Sequence, residues 1–205
     1  MLRIGVIGYG YWGPNIVRNF SAANGSSVTA VCDMNAQTLK NKVKKSYPHI
    51  KTTTEIDEII KDTEVDAIAI ATPVFTHFEI AKKALEAGKS IFMEKPFTYT
   101  VAEAEQLVNL AEKKKLKIMV DHTFLYTGAV RKIRQLIDDG TMGDLYYFDS
   151  MRVNLGLFQH DVNVVWDLAP HDISIMDYVI GKKPQAVVAT GSGHFGRDLE
   201  DIAYL

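Results

Sequence analysis

Three stretches of this sequence carry side chains, or bare backbone, able to do chemistry. In the first, Gly8-Tyr9-Gly10-Tyr11-Trp12-Gly13 follows the apolar run Arg3-Ile4-Gly5-Val6-Ile7, and Asp33 stands twenty positions after Gly13. Such a turn suits a dinucleotide: Gly8 makes the bend off a strand, Gly10 lets the backbone approach a pyrophosphate, and Gly13 lets the next helix lie close to the sheet. Amides at that helix start favour phosphate, with Tyr11 and Trp12 beside them, and Pro14 in the first turn gives up no amide the helix needs. Asp33 ends a second apolar run, Val28-Thr29-Ala30-Val31-Cys32, where its carboxylate can accept from both hydroxyls of an adenosine ribose. A 2′-phosphate would meet a like charge there, and Met34 and Asn35 offer it no cation, so NAD is preferred to NADP.

The second stretch is Glu94-Lys95-Pro96-Phe97, directly after the apolar Ser90-Ile91-Phe92-Met93. A Lys at the exit of a strand can reach the place where a nicotinamide would lie, and a cis Lys95-Pro96 bond would turn it inward. The plain alternative is a surface Lys at a strand exit. The third stretch holds Asp167 and His171, four residues apart and therefore on one face of a helix, with Pro170 between them demanding a kink or a nearby helix start. The Asp would orient the imidazole and raise its basicity, and a group titrating near neutrality suits removal of a hydroxyl proton. A helix cap with a packed His is the alternative.

The elements that must position these groups follow from the pattern. From residue 1 to 122 buried-looking runs at 2–7, 27–33, 66–71, 89–93 and 117–121 alternate with helical stretches at 13–23, 35–46, 55–61, 76–87 and 100–114. That alternation predicts an α/β fold, a Rossmann doubly wound parallel sheet with helices on both faces. The chemistry-bearing residues fall after its strands, where such folds bind ligands: Gly8 to Gly13, Asp33, Thr72-Pro73, Glu94-Lys95-Pro96 and Asp121-His122. Beyond 122 the texture changes. A helix over 126–139, an alternating strand over Leu145–Asn154, a helix over 164–180 and a strand over 185–190 predict part of an α+β domain, residues 123–205, with a mainly antiparallel sheet. Asp201-Ile202-Ala203-Tyr204-Leu205 reads as the opening of a further strand. The run Leu145 to Asn154 does not separate into wet and dry faces, which oligomer packing through that sheet would explain.

With 205 residues, 47% of them hydrophobic, the chain can bury a full core. A net charge of -2 excludes a general nucleic-acid binder, and the Lys run 113–115 suits the C-terminal end of a helix. The single cysteine, Cys32, is expected to pack inside its strand; it excludes an internal disulfide and fits a reducing, cytoplasmic setting. No apolar stretch is long enough for a membrane span, and no signal peptide is evident. His49, His160 and His194 lack metal-ligand spacing, so no metal is expected.

Together these pieces resemble the glucose-fructose oxidoreductase and myo-inositol dehydrogenase (Gfo/Idh/MocA) family. The resemblance rests on the GYGYWG turn, Ala71-Thr72-Pro73 with Thr76-His77, Ala84-Leu85-Glu86-Ala87-Gly88-Lys89 leading to Glu94-Lys95-Pro96, and Asp167-Leu168-Ala169-Pro170-His171-Asp172. It implies that Lys95 touches both nicotinamide and substrate, that Asp167 and His171 supply the base, and that Thr72, Pro73, Thr76, His77, Glu94 and Pro96 line the cofactor. His77 could equally be a helix residue facing water. The implied activity is NAD-dependent hydride transfer between nicotinamide and the hydroxyl-bearing carbon of a sugar, nucleotide sugar or polyol. His122, Arg152, Asn154 and Asn163 are candidate substrate residues, each of which could instead be surface or structural. Family members usually extend further in a C-terminal sheet and assemble through it, so this chain is expected to be C-terminally truncated and, at full length, a homo-oligomer. Two rivals stay open: a non-catalytic NAD-binding regulator, and a sugar-sugar oxidoreductase with tightly bound NAD.

Overall fold

A computed structural model describes residues 1–153, 162–194, 196 and 198–205. The chain divides into two compact units, Met1–Asp121 and His122–Leu205. In the first, six strands pair in parallel: β1 Leu2–Ile7, β2 Ser26–Cys32, β3 Lys51–Thr53, β4 Ala67–Ile70, β5 Ser90–Met93 and β6 Ile118–Val120. Their order is β3-β2-β1-β4-β5-β6, the doubly wound Rossmann order, which reverses direction between β1 and β4.

The period-two pattern of the strands builds a core on each face of this sheet. Ile4, Val6, Val28, Val31 and Ala69 pack with Ile16 and Val17 on one face. Ile7, Ala30, Cys32, Ile68 and Ile70 pack with Ile59, Leu85 and Leu107 on the other. The apolar faces come from helices α1 Gly13–Ala22, α4 Ile56–Ile60, α5 His77–Glu86 and α6 Val101–Lys114. Between β2 and β3 the expected single helix is divided into α2 Ala36–Thr38, a π-helical turn Leu39–Val43 and α3 Lys44–Ser46. The wider turn leaves both Leu39 and Val43 buried in the core. Buried in β2, Cys32 packs as expected, and burial pushes its thiol up to about 11.

Two features of this unit differ from the sequence reading. Strand β3, Lys51-Thr52-Thr53, is a polar three-residue edge strand with no hydrophobic run to announce it. The segment after β4 enters its helix through a 3-10 turn, Val74–Thr76, so the α-helix begins at His77.

In the second unit a 3-10 turn Thr123–Tyr126 precedes α7 Gly128–Asp138, and α8 spans Val164–Ile180. The Arg134 guanidinium ties these helices together by donating to the Tyr178 carbonyl at 2.8 Å. Pro170 lies inside α8, which runs through it without a break and begins six residues earlier. Strands β7 Thr190–Ser192 and β8 Ile202–Tyr204 pair antiparallel. The strand expected over 185–190 is thus realised only from Thr190, and the further strand near the end is present as β8. Of the strand expected over Leu145–Asn154, residues 145–153 have no ladder partner among the described residues. Alternation supplies a face but not a neighbour, and here Tyr146 and Tyr147 in succession are 92% and 77% exposed. Among the described residues no helix is long and apolar enough to cross a membrane.

Candidate functional site

The residue just past each of β1, β2, β4, β5 and β6 bonds to the last residue of the neighbouring strand, and these bonds form a row along the carboxyl edge. Asp33 donates its amide to Thr53, Gly8 to Cys32, Ala71 to Ile7, Glu94 to Ile70 and Asp121 to Met93, at 2.8–3.2 Å. Asp33, the glycine turn and Glu94 therefore share one edge, spanning the point where strand order reverses, the usual ligand crevice of such sheets.

At Gly8 the chain has φ +97°, and a Cβ there would lie 2.6 Å from the Ala71 carbonyl oxygen. The left-handed conformation and the close approach of β4 both require glycine. A Cβ on Gly13 would sit 2.4 Å from the Gly8 carbonyl oxygen, so this glycine packs α1 against its own turn. Gly10 is different: a Cβ there would meet nothing within 4 Å. Open space lies over the turn where a pyrophosphate would approach, and a side chain would fill it. Helix α1 starts with no side-chain cap and no acidic residue in its first turn, which leaves its positive end to an anion. Tyr11 and Trp12 stand exposed beside it, with ring centroids 5.5 Å apart at an edge-on 87°. This backbone cradle fits a dinucleotide.

Asp33 braces the cradle from β2. One carboxylate oxygen accepts from the Tyr9 amide at 2.7 Å and the other from the Asn35 amide at 2.8 Å. Each oxygen keeps a second lone pair that a ribose hydroxyl can use.

After β4, Thr76 Oγ1 lies 2.7 Å from both Thr72 Oγ1 and the Pro73 carbonyl, so the turn bonds to itself. His77 departs from both sequence readings. It neither faces water nor has a surface to offer a cofactor, being 1% exposed. Its Nε2 lies 2.9 Å from the Thr72 carbonyl oxygen, and Nδ1 lies 2.9 Å and 3.3 Å from those of Pro96 and Phe97. Burial holds its imidazole below the ordinary value, against the pull of these three carbonyls.

Lys95, half-buried, follows β5, and the Lys95–Pro96 bond is cis. The segment runs into a capping box at the start of α6: Thr100 accepts from the Glu103 amide while the Glu103 carboxylate accepts from the Thr100 amide. The T-x-x-E spacing from 100 to 103 is the signal for this anchor. Glu94 is buried, and its Oε1 has no hydrogen-bond partner among the described residues. Burial first, then the Asp121 carboxylate, push the Glu94 carboxyl up to about 7, against the opposing Lys95 charge. Met93 and Val120 are register partners, so Glu94 and Asp121 leave adjacent strands side by side. Matching the two strand ends would have exposed this pair.

In the second unit Asp167 and His171 lie one turn apart on α8. The His171 ring meets Phe124 edge-on with centroids 4.8 Å apart, and the Arg152 guanidinium lies 4.8 Å from the centroid of the same Phe124 ring. Arg152 makes a two-point pair with Asp172, at 2.7 and 3.2 Å, and Ser150 donates to Asp172 at 2.7 Å. Burial alone would raise the Asp172 carboxyl, but these bonds outweigh it and hold it below its ordinary value. Arg152 thus bonds within this unit. Asn163 does so too: its amide oxygen caps α8 at the Trp166 amide while its nitrogen donates to Glu200. His122 accepts from the Leu125 amide through its carbonyl and opens the 3-10 turn. Asn154 and His160 lie outside the described residues. Phe124, to which the sequence assigned no role, meets His171 and Arg152 only because separate segments converge on α8.

Residues 2–122 match the oxidoreductase family with an NAD-binding Rossmann fold, Gfo/Idh/MocA, and residues 130–205 match the Gfo/Idh/MocA C-terminal domain. The chain belongs to the Gfo/Idh/MocA family. This Gfo/Idh/MocA chain is 32% identical to the uncharacterized oxidoreductase YdgJ of Escherichia coli over 182 residues, covering 83% of this chain and 51% of the relative. It is 30% identical over 197 residues to the UDP-N-acetylglucosamine 3-dehydrogenase of Acidithiobacillus ferrooxidans, covering 93% and 58%. The crystal structure of an NAD-binding protein from Listeria innocua superposes with a TM-score of 0.83 at 25% identity, covering 98% of this chain and 61% of that one. The Gfo/Idh/MocA chain thus spans between about half and three-fifths of the length of these relatives.

Proposed function

We propose that this chain carries the NAD site and the proton-transfer residues of an oxidoreductase that acts on the CH–OH group of a sugar, nucleotide sugar or polyol. The observation that carries the reading is the carboxyl edge of the sheet. There an open glycine turn, an uncapped helix start and the Asp33 carboxylate precede, along one row of strand ends, a Lys at the exit of β5. The nucleotide-sugar substrate named for the Acidithiobacillus relative supports the substrate class. Asp33 disfavours a 2′-phosphate by like charge, so NAD is the proposed cofactor rather than NADP.

Bound NAD supplies the acceptor for a hydride. In the proposed chemistry His171, oriented by Asp167, takes the proton of the substrate hydroxyl as the C–H bond on the same carbon breaks. Lys95 holds its ammonium against the oxygen that gains charge. A cation placed there stabilises the transition state more than the ground state, the condition for acceleration. Assembly of the complete protein into a homo-oligomer through its second unit is supported by the exposed Tyr146, Tyr147, Met151, Val187 and Val188.

The test is single-turnover reduction of bound NAD by a panel of sugars, polyols and nucleotide sugars in the complete polypeptide, with Lys95→Met and His171→Ala beside the parent. Reduction by at least one compound, lost in both variants while NADH still binds, is the expected result. No reduction by any compound favours an NAD-binding regulator, and reduction without release of NADH favours a sugar-sugar oxidoreductase. Near-parental turnover in Lys95→Met sinks the role given to that residue.

A further inference from the structure

We propose that His77 is a positioning residue for the nicotinamide half of the cofactor site, acting as a brace between the segment after β4 and the segment that carries Lys95. Three observations converge. The ring is 1% exposed, so it contacts neither solvent nor ligand. It spans two segments far apart in sequence, with the Thr72 carbonyl on one side and the Pro96 and Phe97 carbonyls on the other. Its backbone is itself held, because His77 is the first residue of α5 and Ala81, Ala84 and Leu85 of that helix are fully buried.

The chemistry explains why an imidazole suits this place. Buried carbonyls without donors are costly, and each of these segments turns away from its strand before it can pair with a neighbour. One flat ring with nitrogens on opposite sides lies against both: neutral, it donates to the carbonyl on one side and packs against the other segment, and only the protonated ring donates to both, while its rigidity sets their separation. Pro96 directly follows Lys95, so the brace acts one residue from the proposed cation. A site held by such a supporting shell loses function when the shell loosens by a fraction of an ångström.

This inference rests on the proposed function, and binding measurements separate the two. The adenosine and pyrophosphate groups meet the glycine turn and Asp33 in that reading, and His77 bonds to neither. Titrations of NADH and of ADP against the parent, His77→Leu and His77→Gln, each with a thermal melt, therefore distinguish a brace from general support. His77→Leu is expected to weaken NADH by about tenfold or more while ADP binding stays within about twofold. His77→Gln, which keeps a donor towards one segment, is expected to recover part of the NADH loss, and it carries the test if the leucine variant does not fold. Equal loss of NADH and ADP, or a lowered melting temperature with NADH affinity unchanged, overturns the brace and leaves the proposed function standing. A parent chain that binds ADP but not NADH overturns both.

Discussion

Asp33 accepts a hydrogen bond from the amide of Tyr9 at 2.7 Å, joining the end of β2 to the glycine turn 24 residues earlier. The same carboxylate that would select the ribose also shapes the cradle for the phosphates. Asp33→Ala removes both contributions. Bonds to charged groups are worth about 1.5–3 kcal/mol, so NADH binding should weaken roughly 10- to 100-fold. NADPH should lose less, and its disadvantage against NADH should shrink. Fluorescence titration of both cofactors checks this; an unchanged preference would remove Asp33 from the ribose site.

Gly8 and Gly10 are expected to fail differently when replaced by alanine. Gly8→Ala forces a side chain into a left-handed backbone and against the Ala71 carbonyl, and should cost about 1–3 kcal/mol or more in urea denaturation. Gly10→Ala meets open space, so stability should stay within about 0.5 kcal/mol while NADH binding is lost. Equal destabilisation by the two substitutions would contradict the open cradle.

Glu94 should make the first unit pH-sensitive. Its folded carboxyl titrates at about 7, against an ordinary value of 4.5. The folded state therefore holds a proton that the unfolded chain releases between those values. Stability is fully present below about 4.5, declines as pH rises towards 7, and is flat above it, a change on the order of a few kcal/mol. Glu94→Gln keeps the shape without the charge and should flatten that slope and stabilise the protein at pH 8. Urea midpoints measured from pH 4.5 to 8 decide the matter, and a slope identical in the two proteins refutes it.

The Arg152–Phe124–His171 stack should be felt in the stability of the second unit. Cation–π and edge-on aromatic contacts contribute about 0.5–1.5 kcal/mol each, so Phe124→Leu should cost roughly 1–3 kcal/mol. Arg152→Lys, which keeps charge but loses the two-point bond to Asp172, should also destabilise. If Arg152→Lys is neutral in chemical denaturation, the pair is a surface contact without structural weight.

Much of the first unit was readable before folding because its signals are local. The strands over 2–7, 26–32 and 90–93 announce themselves as apolar runs, and the glycine turn needs no distant partner to be recognised. β3 escaped because an edge strand of Lys and Thr carries no apolar period and exists only through pairing with β2. The run 145–153 failed in the opposite way, with alternation present but no strand to bond to among the described residues. For His77 the sequence leaves open a cofactor contact or a helix residue facing water, and for Arg152 a substrate contact or a structural role; the carbonyls and the carboxylate that their side chains meet come from other segments and are invisible to local pattern.

The sequence by itself determined the α/β alternation, the glycine turn with its acid, and the order in which Lys95, Asp167 and His171 follow, since each is set by neighbours within a few residues. Only the tertiary structure decided what those residues touch. Asp33 reaches Tyr9, Glu94 lies beside Asp121, and His77 spans two segments because parallel pairing brings distant strand ends onto one edge, where burial and nearby charge then set what each side chain can do.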